Sequence, residues 1–374
     1  MQIATPTAQL ALDTLLRKPT KGIATWQMHP MQHSHIERLA GAAPGEYRKS
    51  PEAVYLAMLR AAGACALDQY IPDNPLSMGD CGYEGAAHTA TAGAESIVCD
   101  TIVVDSPEAV VQHLESVEFP RLRKAAAEVN EDARVKQILD GEAAIQAKLG
   151  PTILKTGYGF IGFPGFAYGT YGYVNYFSAF ALYPDVMEKH FSLQADLWLR
   201  LNRAAARAYA EGNLPPLYRL DHDMADSRGT LVNIKELDRI WFPHFARCLE
   251  PMLKTDVSMI WHCDGNLMQM VPRLLDVGLA GFQGFQYEDG MDYEKICKMK
   301  TRDGRSLIIK AGVSVTRTLP YGTPDDVRRQ LAWLVENGPK TGLFLGCSSS
   351  IAPGVPWENM EALVEGLRYF RERR

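Results

Sequence analysis

The run Met259-Ile260-Trp261-His262-Cys263-Asp264-Gly265-Asn266 passes from an apolar strand into histidine, cysteine and aspartate, and then into a glycine turn. A strand that ends in proton-transfer or metal-binding side chains, with a helical pattern behind it, is how α/β enzymes place chemistry at the carboxyl end of a strand. Outward from this run the same alternation recurs. Strands are expected at 22–26, 67–71, 152–156, 216–220, 257–261, 281–285, 306–311 and 342–346, with helical patterns between them. Parallel βα units in that number predict an α/β fold, a (β/α)8 TIM barrel, and its first third is elaborated.

The elaboration lies between the second and third of these strands. Residues 79–93, rich in Gly, Ala, Ser, Thr and His, read as an excursion and a candidate lid. A strand-like run at 96–104 and helical patterns at 107–117 and 119–149 follow it, so 79–149 reads as an insertion within one domain spanning 1–374. Behind the strand at 152–156, residues 157–172 are dense in glycine and aromatics, which suits a pocket wall.

Composition narrows the function. With 47% hydrophobic and 22% charged residues and a net charge of -5, the 374-residue chain has no electrostatic footprint for nucleic acid. It contains no run of 18 or more apolar residues and no signal-peptide layout, which points to a cytoplasmic protein without a membrane partner. The 7 cysteines are an odd number without a CxxC pair, which fits reduced thiols. A Walker loop, a GxGxxG after a strand, a GxSxG elbow and HExxH are all missing, so nucleotide binding and serine hydrolysis are weak candidates.

Several segments, in order, carry a family resemblance. They are His222-Asp223-Met224-Ala225-Asp226-Ser227-Arg228-Gly229-Thr230-Leu231-Val232-Asn233, then Trp241-Phe242-Pro243, then His262-Cys263-Asp264-Gly265-Asn266. Gly322-Thr323-Pro324-Asp325-Asp326-Val327 opens a later helix, and the tail has Gly342-Leu343-Phe344-Leu345-Gly346 and Pro356-Trp357-Glu358-Asn359. Together these resemble the uroporphyrinogen decarboxylase (URO-D) superfamily over about residues 150–370, and more loosely over the first 75. The resemblance implies a barrel with its site at the carboxyl ends of the strands, a homodimer, and one of two activities. These are cofactor-free decarboxylation of a tetrapyrrole and zinc-assisted methyl transfer involving a corrinoid protein or a thiol.

Individual residues separate the branches. The decarboxylase pattern places arginines in a Met-Arg-Gln-Ala-Gly-Arg loop. Here the text is Met28-His29-Pro30-Met31-Gln32-His33, and neutral imidazoles hold a polyanion poorly compared with arginine forks. His29 and His33 become candidates for substrate or metal contact. The methyltransferase pattern has His-x-Cys at the fifth strand and a distant cysteine after the eighth. Strand alternation turns Cys263 away when His262 faces the site, which leaves Asp264 at the family's cysteine position. Ser349 takes the expected place of the distant cysteine and Cys347 lies two residues before it. Zinc through His262, Asp264 and Cys347 is therefore the expected metal set.

A second cluster, Asp221, Asp223 and Asp226, ends the fourth strand. Alternation puts Asp221 and Asp223 on one face, where paired carboxylates can raise one pKa for proton transfer. Gln286 and Glu288 after the sixth strand, Arg317 after the seventh, and Tyr168, Tyr173 and Asn175 in and after the aromatic loop are candidate substrate contacts. The expected function is methyl transfer to or from a small methylated molecule, with a corrinoid protein as partner. A decarboxylase acting on a smaller carboxylated substrate and a non-catalytic binding barrel are the alternatives.

Overall fold

The computed structural model describes residues 5–73 and 97–373. Its centre is a ring of parallel strands: β1 (Ala24–Thr25), β2 (Ala66–Leu67), β3 (Leu154–Lys155), β4 (Leu217–Asp221), β5 (Ser258–His262), β6 (Gly281–Gln283), β7 (Ile308–Val313) and β8 (Leu343–Cys347). Six of them form one sheet in the order β1-β8-β7-β6-β5-β4, and β2 pairs with β3. Parallel bridges Trp26↔Ala66 and Gly157↔Tyr218 join the two sheets at both edges, which closes the barrel with every neighbour in sequence order. This is the expected (β/α)8 architecture.

Strand alternation sorts the interior into layers. Ala24, Ala66, Leu154, Leu217, Ile260, Ile308 and Phe344 pack together at the amino-terminal end. The helix Pro6–Leu15 plugs that end through Ala8, Ala11 and Leu15, its start capped by the Thr5 hydroxyl with proline in the first turn. Two residues further along the strands the lining becomes polar, with Asp68, Arg219, His262, Gln283 and Lys310. One end of the barrel is thus sealed by hydrocarbon, and the other is left to chemistry.

Two expectations change. The run at 96–104 is not one strand but an antiparallel hairpin, Ile97–Cys99 with Ile102–Val104, outside the barrel. Asp100 at φ 52 takes the left-handed conformation that reverses the chain between the two β-branched triplets. The strand expected at 67–71 is only Ala66–Leu67, because the Asp68 carboxylate accepts the Gln69 N–H at 2.6 Å and turns the backbone. The proposed lid at 79–93 lies outside the described residues.

The aromatic loop 157–172 is fixed by buried polar side chains. Asn202, fully buried, accepts from Gly162 N at 3.2 Å and donates to the carbonyls of Gly162 and Cys248 at 2.9 and 2.8 Å. Trp241 Nε1 donates to Pro164 O at 2.7 Å, and His222 Nε2 accepts from Phe166 N at 2.8 Å. A loop whose backbone groups are satisfied in this way forms a rigid wall.

Candidate active site

Neighbouring strands bring four polar residues to one height. Asp221 on β4 registers with His262 on β5, His262 with Gln283 on β6, and Gln283 with Lys310 on β7. All four line a cavity of about 190 Å³, together with Trp26, Gln27, His29, Arg219, Asp264, Cys347 and Ser349. The cavity opens at the carboxyl end of the barrel, where this architecture carries its active sites.

Its floor is an ion cluster. Asp68 Oδ2 accepts from Arg219 Nε at 2.5 Å and from Lys310 Nζ at 3.1 Å, while Oδ1 accepts from Gln27 Nε2 and Gln69 N. The carboxylate is thereby saturated and unavailable to a substrate. Although burial alone would raise its pKa, the charges of Arg219 and Lys310 hold Asp68 well below the usual range. Burial pushes Lys310 down to about 7, with Asp68 opposing the shift and Arg219 adding to it. The Lys310 ammonium lies over the Trp26 ring, 3.6 Å from its centroid.

Arg219 also donates from Nη1 to Asp221 Oδ2 at 2.5 Å, and Tyr158 Oη donates to the same oxygen at 3.0 Å. Against the effect of burial, His262, Arg219 and Tyr158 lower the pKa of Asp221, so it stays ionised. Asp264 is shifted the other way: burial raises its pKa, Asp223 adds to the rise and His262 opposes it. Of these carboxylates Asp264 is the one placed to hold a proton.

Ligand atoms of Asp223, His262 and Asp264 lie within 4.8 Å of one another, and this is the group suited to a metal ion among the described residues. Among the described residues Asp264 Oδ1 and His262 Nδ1 are buried without a hydrogen-bond partner, and His262 Nε2 faces Asp264 Oδ1 at 3.9 Å. One imidazole and two carboxylates suit zinc or a harder divalent cation. Asp223 accepts from Asp264 N at 2.9 Å, which ties the ends of β4 and β5 together. Cys347 lines the cavity outside this group, and burial pushes its thiol up to about 12. Cys263 points away as alternation requires: it is buried, and its sulfur accepts from Met224 N.

Gly284, at φ +86, makes room for His262. A Cβ there would lie 2.7 Å from His262 Nδ1 and 2.7 Å from Cys263 O. Gly284→Ala is therefore expected to displace the imidazole and reduce kcat/KM by about a hundredfold, with a stability cost of only about 1–2 kcal/mol. Steady-state kinetics beside urea unfolding separates the two effects.

The other candidates fall into three sets. His29 lines the cavity as expected. Tyr168 stacks on His222 and Tyr173 and donates to Asp223 O at 3.1 Å, so the aromatic wall braces the metal-competent loop. Gln286 accepts from Gly265 N at 2.8 Å, and Glu288 accepts from Ser314 and Thr316, so both stabilise the rim. Arg317 is exposed. Asp226 is turned to Arg228 rather than to the cavity. Two expectations are corrected. His33 packs edge-on against Tyr47 and accepts from Arg48, because the helix His33–Ala40 begins there and carries it off the barrel mouth. Asn175 is buried and donates to Val104 O, anchoring the hairpin.

Sequence reading missed Gln27, Asp68, Arg219, Gln283 and Lys310. Strand alternation, counted from His262 or Asp221, would have flagged Arg219. For Lys310 the signal was a lone lysine in the run Leu307-Ile308-Ile309-Lys310-Ala311.

A closed parallel barrel with titratable residues gathered at its carboxyl end defines the class, a (β/α)8-barrel enzyme scaffold. Within that class the chain belongs to the uroporphyrinogen decarboxylase (URO-D) family, whose model matches residues 168–370. It is also similar in structure to a methyltransferase from Methanosarcina mazei, with a TM-score of 0.58 and 18% identity over 97% of this chain and 98% of that one. At that identity the likeness supports the fold alone. A search of curated proteins gave no match. No helix among the described residues is long and apolar enough to cross a membrane.

Proposed function

We propose that this chain is a methyltransferase that moves a methyl group between a small methylated molecule and a corrinoid carried by a partner protein, with a divalent metal, zinc first among them, in its barrel. The observation that carries this reading is the Asp223, His262 and Asp264 group, in which Asp264 Oδ1 is buried without a hydrogen-bond partner among the described residues and faces His262 Nε2 at 3.9 Å. Unsatisfied atoms of this kind are costly unless a ligand takes them up. The metal would be held by these three residues, with Cys347 in reach of the same cavity, and would act as a Lewis acid on the methyl-bearing heteroatom.

The protein's own contribution is placement and proton control. The aromatic wall and the hydrocarbon plug keep water from two sides of a small cavity. Asp221, ionised and clamped by Arg219 and Tyr158, fixes the negative end of the field. Without a metal Asp264 is placed to hold a proton; as a metal ligand it would give that proton up, so loading the site would release it.

A metal-free decarboxylase is the second reading, and the raised pKa of Asp264 favours it as the acid that protonates a carbanion. Metal analysis of untagged protein separates the two. Near-stoichiometric zinc that disappears in His262→Ala, together with methyl transfer from methoxylated compounds to cob(I)alamin, is the expected result. Metal-free protein that releases carbon dioxide from small carboxylic acids would overturn the proposal.

A further inference from the structure

The hydrogen bonding of the cavity floor is incomplete around Lys310. Its one carboxylate partner, Asp68, is shared on the same oxygen with Arg219, and the nearby Asp221 is taken by Arg219 and Tyr158. A buried ammonium with one shared acceptor among the described residues and a cavity in front of it has donors left for a ligand's oxygen.

A second donor faces the same need. Gln27 Oε1 accepts from Asp68 N at 2.9 Å, which fixes its Nε2 as a donor, and Nε2 lies 3.2 Å from His29 Nε2. His29 Nε2 must therefore accept. Burial holds the pKa of His29 near 4, so the ring is neutral and carries its proton on Nδ1. That Nδ1 is buried and has no hydrogen-bond partner among the described residues. Gln283, between His262 and Lys310, adds an amide whose Oε1 is also without a partner among the described residues and which can turn either end to a ligand.

We propose that Lys310 and the His29 Nδ1–H form a carboxylate-binding subsite on the barrel floor, so that the substrate is a small methylated carboxylic acid held acid-end down. The cavity of about 190 Å³ is below the range of drug-sized pockets, which limits the ligand to a few heavy atoms. The acid end meets the floor and the methyl-bearing end lies toward Asp264 and Asp223. The choice of a methylated acid rests on the methyl-transfer reading; the subsite itself does not.

The charges acting on Lys310 are Asp68 beyond β2 and Arg219 and Asp221 on β4, its ammonium lies over Trp26, and His29, His262, Asp264, Gln283 and Cys347 line the same cavity. A bound carboxylate adds a negative charge to this set and favours the ammonium, so binding takes up a proton and weakens as pH rises through about 7.

The test is isothermal titration of the full chain with methoxyacetate and with its neutral counterpart 2-methoxyacetamide. The acid is expected to bind at least tenfold more tightly than the amide, and at least tenfold less tightly to Lys310→Met than to wild type, with a smaller loss in His29→Ala. If Lys310→Met does not fold, Lys310→Gln takes its place, and the preference for methoxyacetate over 2-methoxyacetamide is expected to fall at least tenfold in it. Equal binding of acid and amide, binding indifferent to Lys310, or no binding of the acid overturns the subsite. Binding as expected without methyl transfer to cob(I)alamin leaves the subsite standing and overturns only the choice of reaction.

Discussion

Asp68→Ala is expected to lower stability by about 3–5 kcal/mol, because it strands two buried cations around a cavity that cannot hydrate them. Arg219 and Lys310 both rest on Asp68 Oδ2, and their side chains are 6% and 3% exposed, so solvent offers little compensation. The loss comes from uncompensated charge more than from a lost attraction. Asp68→Asn combined with Lys310→Met should therefore recover part of what Asp68→Asn alone loses, and urea unfolding of the three variants reads this directly. A pH dependence follows. The folded-state pKa of Asp68 is depressed, so its contribution is fully present above the unfolded value of about 3.9 and is lost as pH falls toward the folded value. Wild type should lose stability on the acid side of pH 4 more steeply than Asp68→Asn does. Equal acid limbs would remove the cluster from the stability of the barrel.

Asp264→Asn should have the largest effect on turnover, a fall of about a hundredfold or more, since it removes both a metal-competent oxygen and the carboxylate placed to hold a proton. The sign of its effect on stability is the opposite. The pKa of Asp264 is raised in the fold, chiefly by burial, so its ionisation works against the folded state. Stability linked to this group is fully present below the unfolded pKa and is lost as pH rises through the folded one. In metal-stripped protein near pH 7, Asp264→Asn should thus melt at or above the wild-type temperature while being inactive. In metal-loaded protein the order should reverse, because wild type gains the binding energy and the variant does not. Thermal melts with and without chelator, beside the activity assay, test both halves. A variant that melts well below wild type in both conditions would make Asp264 a structural residue of the turn before Gly265.

Much of the barrel was legible because each strand announces itself locally. Apolar runs flanked by helical patterns marked all eight strands, and alternation within 258–264 correctly turned Cys263 away from His262. The same rule placed Asp221 on the cavity side. Local reading failed at 96–104, where a single positive-φ residue, Asp100, converts an apparent strand into a hairpin, and at His33, where a helix begins inside a stretch read as a loop. Asn175 looked like a polar handle in an aromatic wall, yet its amide serves a backbone carbonyl 71 residues away. Nothing in the neighbouring residues signals such a partner.

The amino-acid sequence by itself determined the repeating βα units, the identity of the side chains at the strand ends and the URO-D pattern, since these depend on local periodicity and on residues close together in the chain. Only the tertiary structure decided which side chains meet. Asp68 joins Arg219 across 151 residues and Lys310 across 242, and each pairing exists because the barrel closes and brings β2, β4 and β7 to one axis. Charges that read as scattered along the chain become a cluster there, and the low polarity of the interior makes their hydrogen bonding, complete at Asp68 and left open at Lys310, decide what the cavity can bind.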